Sequence, residues 1–168
     1  MTRFVVRPSN KHIGAQLVRA QPDGDQVLVG AHSSELKEFG WKAPCGNLPA
    51  AYLTGLLAGR RARASGITEA ILDIGLHARG PGSRMFAVAK GAVEGGLNIP
   101  HQESAFPSKE RVRGEHVEAY SKQLAPEAEA YKRVYSAYLK HKLKPEDLTK
   151  HFTEVEAKIK EASEARSR

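Results

Sequence analysis

An α/β fold, in which a mixed β-sheet is packed with helices and followed by a helical extension, is predicted by three observations. Residues 3–31 hold three short runs of alternating apolar and polar side chains, separated by turn residues. A helix-period segment then leads to one short apolar run at 70–75, the order expected when a helical crossover returns the chain to the same sheet. Beyond Phe106-Pro107-Ser108 no strand-like run remains, and helix formers with dense alternating charge take over. The chain therefore divides into an α/β core, 1–107, and a helical carboxyl-terminal extension, 108–168. Its 168 residues, 40% of them hydrophobic and 27% charged, suffice for one domain with a real core plus an appendage.

In Arg3-Phe4-Val5-Val6-Arg7 a period of two puts Arg3, Val5 and Arg7 on one face and Phe4 and Val6 on the other. Pro8 cannot donate to a ladder, and Ser9-Asn10-Lys11 turns the chain. Ile13, Ala15 and Leu17 then alternate with Gly14, Gln16 and Val18, which completes a hairpin. Gln21-Pro22-Asp23-Gly24-Asp25 is a turn signal before a third, antiparallel strand, 27–31. Trp41, Pro44 and Gly46 make 33–46 an irregular connection. Asn47 is a good N-cap with Pro49 in the first turn, so a helix is expected over 48–64, stopped by Ser65-Gly66. Its last turn carries Arg60, Arg61 and Arg63, a solvated helix end or an RNA contact.

The run 70–75 reads as a strand buried on both faces. A loop follows, then a helix from Arg84 to about Glu94 with Ser83 placed to cap it and Gly95-Gly96 to stop it. Leu97-Asn98-Ile99 reads as a final edge strand closed by Pro100. In the extension, helices are expected over 109–124 and, past Pro126, to about residue 143. In the last helix Leu148, Phe152, Val155 and Ile159 form one apolar stripe that should dock on something. Tyr131, Val134, Tyr135 and Tyr138 share a face whose expected use is packing rather than base stacking.

Charge narrows the function classes. The net charge of +7 suits a nucleic-acid binder, although basic enzymes and membrane-surface proteins share it. The one cysteine, Cys45, rules out an internal disulfide and points to a reducing compartment. The longest weakly polar run is too short to span a bilayer and no signal-peptide pattern opens the chain, so a soluble cytoplasmic protein is expected, with no membrane partner. The hairpin's polar members Arg3, Arg7, Ser9, Asn10, Lys11, His12, Gln16 and Arg19 include no acid and suit phosphate oxygens. Arg79-Gly80-Pro81-Gly82-Ser83-Arg84, where a strand hands over to a helix, could hold a phosphate on backbone NH groups, with Lys90 nearby. It matches neither a Walker loop nor a dinucleotide fingerprint. Arg111 and Arg113 stand in a mixed-charge helix start that is either solvated or turned to RNA. Asp73 is the best catalytic candidate but has no carboxylate mates, histidines are dispersed, and no zinc spacing exists, so no cofactor or metal is called for.

The run Val6-Arg7-Pro8-Ser9-Asn10-Lys11-His12-Ile13-x-Ala15-Gln16 resembles the opening hairpin of the universal large-subunit ribosomal protein eighteen family, which binds 5S ribosomal RNA. So do Asn47-Leu48-Pro49-Ala50-Ala51-Tyr52-Leu53-Thr54-Gly55, Leu72-Asp73-Ile74-Gly75-Leu76-His77 with Gly82-Ser83-Arg84-x-Phe86-Ala87 and Lys90-Gly91-Ala92, and Ile99-Pro100-His101 with Arg111-x-Arg113-Gly114-Glu115-His116. Tyr138-Leu139 through His151-Phe152 is similar to the archaeal and eukaryotic branch and suggests an archaeal ribosome. The resemblance implies a compact mixed-sheet core that grips 5S rRNA and anchors it in the central protuberance, touching the large-subunit rRNA and neighbouring ribosomal proteins. It implies RNA-facing positions at Arg7, Ser9, Asn10, Lys11, His12, Gln16, His77, Arg79, Ser83 and Arg84. Family members usually carry a longer basic arm before the first strand; here Met1-Thr2 precedes Arg3, so that arm's contacts are expected to be missing, shifted or supplied by a neighbour. The competing readings are a nucleotide-handling or metal-dependent nuclease-like enzyme using Asp73 and the Gly80 loop, and a regulatory protein-interaction module built on the last helices.

Overall fold

The computed structural model describes residues 1–78 and 80–165. Strands β1 (Thr2–Pro8), β2 (Ile13–Arg19) and β3 (Gln26–His32) form an antiparallel meander, and β4 (Ile71–Asp73) adds parallel to β1, giving the order β3-β2-β1-β4. The sheet is mixed, as predicted. Its alternation is as predicted except at Val18: Phe4, Val6, Ile13, Ala15, Leu17, Val29 and Ala31 are buried and Arg7, Gln16, Gly30 and His32 exposed on the other side, but Val18, expected beside Gly14 and Gln16, is buried too. A slip of register between Leu17 and Val18 bends the β2–β3 ladder.

Helices α1 (Leu48–Ala64) and α2 (Arg84–Glu94) cover the apolar face, α1 against β2 and β3 and α2 against β1. The Asn47 side chain caps α1 by accepting from the Ala50 NH at 2.9 Å. The two helices meet backbone to backbone. A Cβ on Gly55 would lie 1.9 Å from the Val88 carbonyl oxygen, one on Gly59 2.4 Å from that of Ala92, and one on Gly91 2.1 Å from that of Tyr52. Helix-interior glycine costs about 0.5–1 kcal/mol relative to alanine. Here it is required, because no side chain fits the seam. Since Gly55 faces Val88 and Gly59 faces Ala92, the helices run in the same direction and their N-termini share one end of the protein.

Four other expectations change. The run 70–75 contributes only three residues to the sheet, and they form an exposed edge rather than a strand buried on both faces: Ile71 is 44% exposed. An apolar run reads the same whether its second face meets helices or water, so pattern could not separate the two. Residues 97–99 make a single bridge, Glu69 to Asn98, instead of an edge strand, with Leu97 and Ile99 turned into the core. The helix expected over 109–124 is two, α3 (Lys109–Arg113) and α4 (Glu115–Leu124), parted at Gly114, whose φ of 87° only glycine adopts freely. The next is likewise two, α5 (Ala128–Val134) and α6 (Ser136–Lys140). The irregular segment before α1 contains a 3-10 turn, Ser33–Phe39. His32 caps it in place of the usual Ser or Asp, with the Glu35 carboxylate returning to the His32 NH at 2.8 Å.

Helix α7 (Leu148–Ala165) docks its predicted stripe on α1 and the 3-10 turn; Leu148, Phe152, Val155 and Ile159 are all buried. His151 stacks on Trp41 and accepts from the Lys42 NH at 3.0 Å. Tyr135 and Tyr138 are buried edge to face, as the packing expectation required, but Val134 is exposed.

Candidate nucleic-acid interface

The β1–β2 turn is closed by its own side chains. The Ser9 NH donates to the His12 carbonyl at 2.8 Å, and the Ser9 Oγ both donates to that carbonyl and accepts from the His12 NH, each at 3.0 Å. Ser33 Oγ then receives the Ile13 NH at 3.0 Å and meets His12 Nδ1 at 3.2 Å, which pins the turn to the end of β3. On the other side Arg84 Nη1 donates to the Ser9 carbonyl at 2.9 Å and the Gly46 carbonyl at 3.0 Å. Gly46 is so close to the turn that a Cβ there would lie 2.9 Å from the Asn10 carbonyl oxygen. The tip, with Asn10 and Lys11 exposed, is thus held beside the N-termini of both α1 and α2. Two parallel helix starts give that end a positive field suited to anions.

Next to the tip the exposed sheet face is concave, a groove of about 550 Å³ lined by Val5, Arg7, Ser9, His12, Gly14, Gln16, His32 and Glu35 among others. The arginines of β1 are already engaged. Arg7 donates to the Val6 and Asp73 carbonyls at 2.9 and 3.0 Å and pairs with the Asp73 carboxylate at 3.3 Å, although half of its side chain stays exposed. Arg3 pairs with Asp25 and, at 3.3 Å, with Asp73. The Gly75 NH, followed by the Arg7 and Arg3 guanidinium groups, holds the Asp73 carboxyl below the usual carboxylate range. Asp73 is therefore a clip between β1 and β4.

The other predicted positions scatter. His77 is exposed in the loop after β4, and Arg79 lies outside the described residues. Ser83 occupies the N-cap position of α2 but makes no capping bond, and its Oγ is buried without a partner. Lys90 donates to the Pro107 carbonyl at 2.8 Å. Arg60 and Arg61 sit about 18 Å along α1 from its start, away from the tip. Arg61 donates to the Gly30 carbonyl at 2.7 Å and pairs with Glu35 at 2.6 Å, blunting the outer edge of β3. Burial pushes the Glu35 carboxyl up, but the Arg61 and His32 hydrogen bonds outweigh it and leave it below its ordinary value. Arg111 and Arg113 are exposed on α3, and Arg113 borders a small polar cleft with Lys90, Lys109 and Lys160. The structure thus gathers Ser9, Asn10, Lys11, His12, Ser83 and Arg84 at one end and leaves the α1 and α3 cations elsewhere. Sequence reasoning missed Ser33 and Gly46 as supports of the tip. The spacing of His32 and Glu35 was the one available signal for the former, and nothing local marks the latter.

A family model described as ribosomal large subunit proteins 60S L5 and 50S L18 matches the chain over residues 1–67 and 63–102. The chain belongs to this family. The matched span contains the whole hairpin, both covering helices and the loop between β4 and α2, so the large-subunit ribosomal family and the gathered end coincide. A family of ribosomal constituents is not a family of enzymes, and the nuclease-like reading falls with it: its proposed carboxylate, Asp73, is the arginine clip just described. No described helix is long and apolar enough to cross a membrane.

Proposed function

We propose that the protein is a non-catalytic constituent of the large subunit that binds 5S rRNA through the hairpin end. It anchors that RNA to the large rRNA in the central protuberance, among neighbouring ribosomal proteins of a cytoplasmic ribosome. The observation that carries the reading is Arg84, which ties the hairpin turn to the segment entering α1, so that Asn10, Lys11 and two helix N-termini form one preorganised polar end. Preorganisation matters because ordering a loop on binding costs affinity. The ending, whose run from Tyr138-Leu139 through His151-Phe152 resembles the archaeal and eukaryotic branch, is the ground for reading the ribosome as archaeal.

Titration of a 5S rRNA transcript at increasing salt tests this. Neutralising about six phosphates gives a fall of log affinity with log salt of slope on the order of five, and Lys11→Ala lowers it by nearly one. An affinity that does not change with salt overturns the proposal.

A further inference from the structure

The five Lys and Arg side chains of the segment 132–144 (Lys132, Arg133, Lys140, Lys142 and Lys144) are joined there by His141 and by no acid. All are exposed on α5, α6 and the turn that follows. In contrast to Arg3, Arg7, Arg61, Arg84 and Lys90, none of the five makes an ion pair or side-chain hydrogen bond among the described residues.

The turn has a second peculiarity. Helix α6 ends with the Leu143 NH donating to the Tyr138 carbonyl at 3.1 Å and the Lys142 NH to that of Leu139 at 3.0 Å, the paired bonds that close a helix through a left-handed residue. Glycine normally takes that position. Here it is Lys142, with a φ of 57°, the one non-glycine residue of positive φ among those described. A strained backbone thus carries a side chain that makes no ion pair or hydrogen bond among the described residues. Such an arrangement is expected where the side chain serves a ligand.

Position supplies the third observation. Asn47 Nδ2 donates to the Tyr138 hydroxyl at 3.4 Å, and the neighbouring Gly46 backs onto Asn10. The basic turn therefore stands at the end of the protein that carries the hairpin tip.

We propose that the α5–α6 face and its closing turn form a second RNA-binding surface, one that holds the phosphate backbone of a duplex without reading its sequence. Flexible lysines acting as point charges suit phosphate oxygens met in varied geometry. An acidic protein partner fits less well, because Val134 and Leu139, 47% and 39% exposed, are the only large apolar side chains this face exposes, too little for the packed centre of a stable protein interface. Of the flanking acids, Glu127 and Glu129 lie at the start of α5, Glu146 is occupied by the Tyr131 hydroxyl at 2.9 Å, and the exposed Asp147 follows the basic turn without an ion pair to any of its five cations. The inference rests on the reading of the protein as an RNA binder but not on the hairpin being the contact.

The test uses the full chain with two probes, a 5S rRNA transcript and an unrelated RNA duplex of similar length. The variants are Lys140→Ala/Lys142→Gly/Lys144→Ala and Lys140→Glu/Lys144→Glu. Because glycine relieves the left-handed position, the triple variant should melt no lower than wild type. On the unrelated duplex its log–log salt slope should fall by between about two and three, and on 5S rRNA by the same amount. The double reversal should weaken both probes further. Slopes and affinities unchanged from wild type on both RNAs overturn the proposal. Unchanged RNA binding together with loss of a ribosomal protein partner overturns it in favour of a protein contact. A wild-type chain that binds neither probe sinks the RNA-binding reading itself, an outcome separate from a wild type that binds while the variants match it.

Discussion

Helix α1 is gripped on two sides by opposite means. Towards α2 the contact is backbone on backbone, made possible by Gly55, Gly59, Gly91 and Gly95, and no atom can be added. Towards α7 it is made by the stripe of Leu148, Phe152, Val155 and Ile159, from which no atom can be removed without leaving a hole. The difference shows how each region can serve an interface. The glycine seam leaves the α1 and α2 N-termini close enough to share one anion-facing end with the hairpin, whereas the α7 seam attaches a helical layer whose outer surface is free to carry charge.

Gly91→Leu should separate the two seams most sharply. Its Cβ alone would collide with the Tyr52 carbonyl at 2.1 Å, a backbone atom that cannot swing aside. A loss of about 3 kcal/mol or more in urea unfolding is expected, together with loss of RNA binding, because α2 holds Arg84. A variant as stable as wild type would show that the helices can move apart. Phe152→Ala attacks the other seam and should cost about 3 kcal/mol through its cavity. Hydrogen exchange would then rise in α7 while β1 and β2 stay protected; equal loosening of both would erase the distinction between seams.

The smallest effect is that of acid on the α7 seam. Burial, with Lys42 and Lys158 adding to it and Glu154 opposing, holds the His151 imidazole below its ordinary value. Its Nε2 must stay unprotonated to accept the Lys42 NH. The unfolded chain takes up the proton near about pH 6.5 while the folded chain resists. Stability from this group is therefore complete above that pH and declines as pH falls through the lower folded value. Thermal melts at pH 7.5 and 5.5 should differ more for wild type than for His151→Asn; an identical difference would remove His151 from the account.

Much of this was legible in the chain. The period of two in β1 and β2, the caps Asn47 and Gly95-Gly96, and the stripe of α7 are local patterns, and local patterns survive because each residue's facing depends on its own neighbours in sequence. The three-residue length of β4 was not legible, nor was the break at Gly114. The first depends on what covers a strand's second face. At the second, a Cβ would lie 2.6 Å from the Leu148 side chain, thirty-four positions away.

The hairpin's cationic character was likewise plain from composition, but which cations remain available was not. Arg7 and Arg84 read alike in sequence as phosphate ligands; in the fold one clips Asp73 and the other ties Ser9 to Gly46. Sequence by itself determined where β1, β2, β3, α1, α2 and α7 form, which face of the hairpin and of α7 turns inward, and that the protein carries surplus positive charge. Only the tertiary structure decided which guanidinium groups are occupied by the protein's own oxygens and which ammonium groups remain for a partner. An ion pair needs two groups within a few ångströms, and residues seventy positions apart come that close only through the fold.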